Sequence, residues 1–179
     1  MKIICISGKA QHGKDTTAKF LQEQLENNGY RVKITHFADH LKHICKDYFG
    51  WDGVKDEKGR NILQHIGTEV IRERSPDYFA DYLVNFLSMF YDEWDYVIIP
   101  DCRFPNEFEI FTAYGMDAIL LRVVRPGFLS PLTQEQQAHP SETALDNYEH
   151  DFVIVNSGSK AELKSSIGHF TENFIRRAA

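Results

Sequence analysis

A three-layer α/β fold, a parallel sheet with helices on both faces, is predicted by three observations. Short apolar segments alternate with amphipathic ones along the chain. The first apolar segment runs straight into a glycine-bearing loop. At 179 residues and 42% hydrophobic content, the chain is long enough to bury roughly 70% of its unfolded surface in one domain. Lys2–Ser7 (KIICIS) reads as a buried strand, because four consecutive apolar residues leave no solvent face. Ala18, Leu21 and Leu25 then recur at helical spacing, and Gly29 supplies the stop.

Arg31–Phe37 alternates and reads as a second strand; 40–49 and 60–73 read as helices either side of a polar stretch. Ser75-Pro76-Asp77 predicts a helix start, with a capping hydroxyl and proline at the first helical position. The helix after it carries Phe79, Tyr82, Leu83, Phe86, Leu87 and Phe90 at one spacing, a stripe read as core. Tyr96–Ile99, Ala118–Val124 and Phe152–Val155 complete a set of five strands, and Ala161–Ile175 closes the chain as a helix. Strands alternating with helices require a parallel sheet covered on both sides. Pro126–Ser141 breaks the pattern with glycine, three prolines and several glutamines. It is too polar for core and long for a connection, so it reads as a mobile flap or lid.

Charge excludes some functions. Net charge is −6, which argues against broad attraction to nucleic acid polymers or anionic lipid, so any polyanion must be met by a local site. Cys5, Cys45 and Cys102 are odd in number, far apart and set in apolar segments, the pattern of buried free thiols in a reducing compartment. The longest apolar run near Met1 is four residues, too short for a leader or a membrane span, so a cytoplasmic protein is expected.

Gly8-Lys9-Ala10-Gln11-His12-Gly13-Lys14 matches the G-x-x-x-x-G-K pattern of a phosphate-binding loop. The glycines let the backbone wrap so that N–H groups converge, the next helix presents its positive end, and Lys14 adds a point charge. Most such loops continue with Ser or Thr, whose hydroxyl meets Mg²⁺. Here Asp15 stands in that place and Thr16 follows, an order that resembles small-molecule kinases. Tyr96–Asp101 is an apolar strand ending in an acid, the arrangement that holds a magnesium shell. Asp15 and Asp101 are therefore the candidate metal carboxylates. Arg103 lies just past that strand end, where open sheets bind ligands; the alternative for it is a surface pair with Glu107. Arg122 and Arg125 flank the end of the fourth strand and lead into the lid, with a solvated charge pair as their alternative. Trp51 reads as a packed loop anchor rather than a base-stacking residue.

Together these segments resemble the deoxynucleoside monophosphate kinases of the bacteriophage type. The resemblance rests on Gly8–Thr16 (GKAQHGKDT), Phe37-Ala38-Asp39 with Leu41-Lys42, Asn61–Phe79, Asp101–Glu107 (DCRFPNE) and His139–Asp146 (HPSETALD). It implies a single P-loop kinase domain over 1–179 with a five-stranded parallel sheet, an acceptor-side helical region at about 38–94 and a lid at about 126–141. It implies Mg²⁺ and ATP as cofactor and donor, and a deoxynucleotide as acceptor. Residue by residue, Gly8, Lys9, Ala10, Gln11, His12, Gly13, Lys14, Asp15 and Thr16 would hold the ATP phosphates. Asp39, Lys42, Arg60, Gln64, Thr68 and Arg72 would face the acceptor, and Arg103 would hold its phosphate. Arg125 would contact ATP or the transferring group, so that Lys14, Asp15, Arg103 and Arg125 form the catalytic set. The chain leaves room for a homodimer. Alternative readings are another small-molecule kinase, of phosphomevalonate or nucleoside type with Asp39 as base, or a nucleotide-binding regulator without an acceptor.

Overall fold

A computed structural model describes residues 1–178. Five strands, β1 (Lys2–Ser7), β2 (Val32–Ile34), β3 (Tyr96–Ile99), β4 (Asp117–Val124) and β5 (Phe152–Val155), form one sheet in the order β2-β3-β1-β4-β5. Every pairing is parallel, with Ile4 of β1 opposite Ile98 on one side and Ile119 on the other. β1 is central and buried on both faces, so its side chains divide between two cores. Ile3 and Cys5 join Phe79, Leu83, Leu87 and Phe111. Ile4 and Ile6 join Leu21, Leu25, Ile167 and Phe174. The first core lies under α4 (Tyr78–Met89) and α5 (Pro105–Ala113), the second under α1 (Lys14–Asn27) and α8 (Lys160–Ala178). Helices thus cover both faces, as expected. Cys5, Cys45 and Cys102 are buried free thiols.

Four local expectations differ from the structure. The second strand is shorter than Arg31–Phe37, because the N–H groups of Phe37 and Ala38 donate to the Asp101 carboxylate at 3.1 and 2.9 Å. Those bonds turn the chain out of the sheet and start α2 (Ala38–Phe49) early. The helix expected over 60–73 begins at Glu57 as α3 (Glu57–Gln64), where Asp56 accepts the Gly59 N–H at 2.7 Å. It then continues in π-helical form over His65–Arg72.

The Ser75 hydroxyl does not cap α4. A turn through Pro76 and Asp77 intervenes, closed by the Tyr78 N–H on the Ser75 carbonyl at 3.1 Å. The buried face of α4 is also displaced from the expected stripe. Phe79, Ala80, Leu83, Val84 and Leu87 are buried, whereas Tyr82, Phe86 and Phe90 are 49%, 36% and 41% exposed. A helix lying on a sheet buries one narrow face, and the wide aromatic stripe overruns it.

Cys45, Trp51 and Ile66 make a third, small core beneath α2, α3 and the π-helical segment. Trp51 is buried there with its indole N–H on the Val54 carbonyl at 2.8 Å, an anchor as read from the sequence. The lid region contains two short helices, α6 (Gln134–Ala138) and α7 (Pro140–Thr143).

Candidate nucleotide site

The carboxyl ends of β1, β3 and β4 converge where strand order reverses, the place at which open parallel sheets build ligand sites. The loop between β1 and α1 is wrapped tightly against them. Gly8 (φ 143°) and Gly13 (φ 99°) lie in the left-handed region, and a Cβ on Gly8 would stand 2.4 Å from the Val123 carbonyl oxygen. Only glycine fits there. Gln11, at φ 61°, is the one non-glycine residue with positive φ among the described residues. His12 is pinned from two sides: Asn156 Nδ2 donates to its carbonyl at 2.9 Å, and the Arg125 N–H donates to its Nδ1 at 3.2 Å. Burial, with Lys14 and Arg122 nearby, lowers the His12 pKa, so the ring is neutral and Nδ1 is an acceptor.

Lys14 starts α1 with its ammonium turned back into the loop, donating to the carbonyls of Gly8 and Lys9 at 2.7 and 2.9 Å. Burial, followed by the charge of Arg103, lowers its pKa to about 8. That is the signature of a cation held among other cations and away from water. Asp15 points outward, its side chain 80% exposed and 3.9 Å from His36 Nε2. The His36 imidazole beside it holds its carboxyl below the ordinary value.

A cavity of about 390 Å³ opens beside the loop. Lys14, Asp15, Ala10 and Gln11 line one side; Lys42, Arg60, Gln64, Thr68 and Arg72 line the other, and Asp101 and Arg103 lie at the junction. Six of the seven acceptor-side residues expected from sequence are therefore together. Asp39 is beside them rather than in the wall, bonded to Lys42 at 2.7 Å and His36 Nδ1 at 3.2 Å. Gly8, Lys9, His12, Gly13 and Thr16, also expected to hold the ATP phosphates, do not line this cavity. Arg125 is outside the cavity, its guanidinium 4.5 Å from the Phe128 ring centroid. Arg122 donates to the Leu145 carbonyl and Asp146 at 2.6 and 3.0 Å, a tie rather than a solvated charge.

The alternative reading of Arg103 fails. Glu107 is not its surface partner: Glu107 is 1% exposed, accepts the main-chain N–H groups of Arg103 and Phe104 at 2.6 and 3.1 Å, and pairs with Arg72. Burial raises the Glu107 pKa. The Arg103 guanidinium turns to the lid, where Nη1 donates to the Ser141 carbonyl at 2.8 Å and to the Glu142 carboxylate. Arg72 lies over Phe104 and Phe79, at 4.2 and 5.2 Å from the ring centroids. Glu107, His36, Lys55, Gln136 and Glu142 all belong to this site, and sequence reasoning assigned none of them a role there. An isolated acid in a first helical turn looks like any dipole-favouring residue.

The family model described as deoxynucleotide monophosphate kinase matches residues 53–167. This chain belongs to that family. The deoxynucleotide monophosphate kinases of Enterobacteria phage T4 and Escherichia phage RB69 are each 32% identical to it over 110 residues, 60% of this chain. The matched stretch spans 43% and 42% of those two relatives' own length, less than half of each. In fold, the chain is similar to a dephospho-CoA kinase from Campylobacter jejuni, with a TM-score of 0.56 at 15% identity over 96% of this chain and 97% of that one. The family match begins at residue 53, past the phosphate loop. Loop and family are therefore independent pointers to nucleotide chemistry.

Proposed function

We propose that this protein is a Mg²⁺- and ATP-dependent kinase that moves the γ-phosphoryl group of ATP onto a deoxynucleoside monophosphate, releasing ADP and the diphosphate. One observation carries the reading: the phosphate loop with Lys14 opens into the same cavity as Arg60, Arg72 and Arg103. A regulator would need the loop alone. A volume of about 390 Å³ falls within the range of small-ligand sites.

The two substrates together bring about six negative charges, so the reaction depends on positioning and charge neutralisation. In this reading Gly8–Thr16 cradle the ATP phosphates, Lys14 leaves its own loop carbonyls for the β- and γ-oxygens, and Arg125 meets ATP from the lid root. Lys42, Arg60, Gln64, Thr68 and Arg72 hold the acceptor, with Asp39 orienting Lys42. Arg103 holds the acceptor phosphate, whose oxygen attacks the γ-phosphorus in line as the bond to ADP breaks. A monophosphate is already an anion at neutral pH, so no strong base is required. Among the described residues no group of three or more His, Cys, Asp or Glu side chains is arranged to hold a metal. That fits Mg²⁺, which takes one or two carboxylates and leaves the rest to phosphates and water. Asp15 would be the open carboxylate, and Asp101 keeps lone pairs beyond those that accept Phe37 and Ala38. Held by those carboxylates, Mg²⁺ would supply charge neutralisation for the phosphoryl transfer.

We further assign the protein to a reducing cytoplasm, on its three buried free thiols. No helix among the described residues is long and apolar enough to cross a membrane. A homodimer is supported by the exposed apolar face of α4. The deciding experiment is ADP release across deoxy- and ribonucleoside monophosphates, free nucleosides and mevalonate phosphate. Turnover is expected on one or more deoxynucleoside monophosphates. Turnover confined to nucleosides or mevalonate phosphate would sink the proposal.

A further inference from the structure

Glu142 sits where donor loop, lid and acceptor arginine meet. Its side chain is only 7% exposed, although it lines the cavity. One carboxylate oxygen accepts the Ala10 N–H at 2.9 Å, and the other accepts Arg103 Nη1. Its own carbonyl accepts Lys9 Nζ at 2.6 Å, and the same ammonium reaches Asp146 at 2.5 Å. The preceding carbonyl, of Ser141, takes a second bond from Arg103 Nη1 at 2.8 Å. Only one edge of the guanidinium is occupied in this way. Its Nε and Nη2 hydrogens have no partner among the described residues, and Arg103 lines the cavity.

We propose that Glu142 is a positioning residue: it clamps Arg103 by Nη1 and the phosphate loop by Ala10, and so fixes the distance from the acceptor phosphate to the donor loop. The proposal rests on the kinase reading above. A planar fork held by one nitrogen presents its other two donors in a fixed direction, which is what bidentate capture of a phosphate requires. Both carboxylate oxygens are needed. A glutamine has one acceptor oxygen and one donor NH₂, so it can serve Arg103 or Ala10 but not both. An aspartate keeps the charge and falls one methylene short.

Glu142→Gln and Glu142→Asp are compared with the parent for kcat and for KM of ATP and of the best monophosphate in the panel. Mispositioning by about an ångström costs roughly a hundredfold, so kcat over acceptor KM should fall on that order while the KM for ATP stays within a few-fold. Three kinetic outcomes overturn the proposal. A lower acceptor KM in Glu142→Gln would mean that the carboxylate obstructs the site. Equal losses on both substrates that track a lower Tm would mean a merely structural tie. Parental kinetics in Glu142→Asp would mean that charge alone matters. A readout independent of turnover separates this idea from the kinase reading. In arginine-¹⁵N spectra, the Arg103 Nε–Hε resonance should be sharp in the parent and broadened or shifted in Glu142→Gln. If no substrate is turned over but that change occurs, the kinase reading fails and the clamp stands. An unaltered Arg103 resonance overturns the clamp.

Discussion

Lys14 shows how one side chain is both legible and surprising. Its place in G-x-x-x-x-G-K announces a phosphate ligand, but its environment is set by neighbours remote in sequence. With its pKa lowered from 10.5 to about 8, the folded chain gives up the proton at lower pH than the unfolded chain does. Below about pH 8 both states hold the proton, and the cost of burying the charge is fully present. Between about 8 and 10.5 the unfolded chain binds more protons, so stability rises with pH. Thermal melts without nucleotide should show that rise in the parent and a flatter profile in Lys14→Met over the same window. An identical profile in both would refute the burial argument. The variant should also lose turnover by orders of magnitude. Arg103 gives the complementary lesson. Its spacing from Glu107 suggested an i,i+4 pair, yet the carboxylate takes its main-chain N–H and leaves the guanidinium to Glu142.

Among the elements, the segment from α3 through His65–Arg72 carries most of the cavity wall proposed to face the acceptor. Gln64, Thr68 and Arg72 recur every four residues and all line the cavity, although the backbone passes into π-helical form between them. π-helical turns concentrate at functional sites, and here the turn is seated on α2 through Gly67. A Cβ on Gly67 would stand 2.6 Å from Leu41 Cδ2, and Leu41 itself lines the cavity. Gly67→Ala should therefore cost about 1–3 kcal/mol by overpacking. By pushing Leu41 into the acceptor space, it should also raise acceptor KM more than the KM for ATP. Urea denaturation and steady-state kinetics measure the two effects. Unchanged stability and kinetics would show that Leu41 simply rotates away. The lid is better organised than its composition suggests: Thr133 caps α6 through the Gln136 N–H at 3.2 Å, and Arg122 and Lys9 tie the following segment to sheet and loop.

At the scale of the whole molecule, the exposed face of α4 is the feature that the fold leaves unexplained. Tyr82, Phe86, Met89 and Phe90 recur at i, i+4, i+7 and i+8 and are 36–74% exposed, an apolar flank beside the buried face on which Tyr82 stacks against His40. Such stripes on soluble proteins mark association surfaces. Sedimentation velocity should find a dimer at micromolar concentration, and Phe86→Arg with Met89→Arg should give a monomer of unchanged Tm. A parent that is monomeric throughout would refute the homodimer. The charge balance fits the same picture. A chain of net −6 concentrates Lys14, Lys42, Lys55, Arg60, Arg72 and Arg103 around one cavity, which suits a small anion better than a polymer.

The succession of strands and helices along the chain and the position of the phosphate loop were legible in the amino-acid sequence, whereas the acceptor-side residues of the cavity came from the family resemblance. Both legible features follow from local causes: β1 is apolar because it is buried on both faces, and Gly8 and Gly13 are glycines because their φ angles and close neighbours demand it. What tertiary structure alone decided was which partner each charged group takes. Arg72 and Glu107 are 35 residues apart, Arg103 and Glu142 39, Ala10 and Glu142 132, and no periodicity links such pairs. The buried edge of α4 was likewise settled by the sheet beneath it. Hydrophobic pattern and glycine placement are properties of a segment. A buried carboxylate's partner is a property of the space around it, where desolvation makes pairing obligatory without naming the pair in sequence.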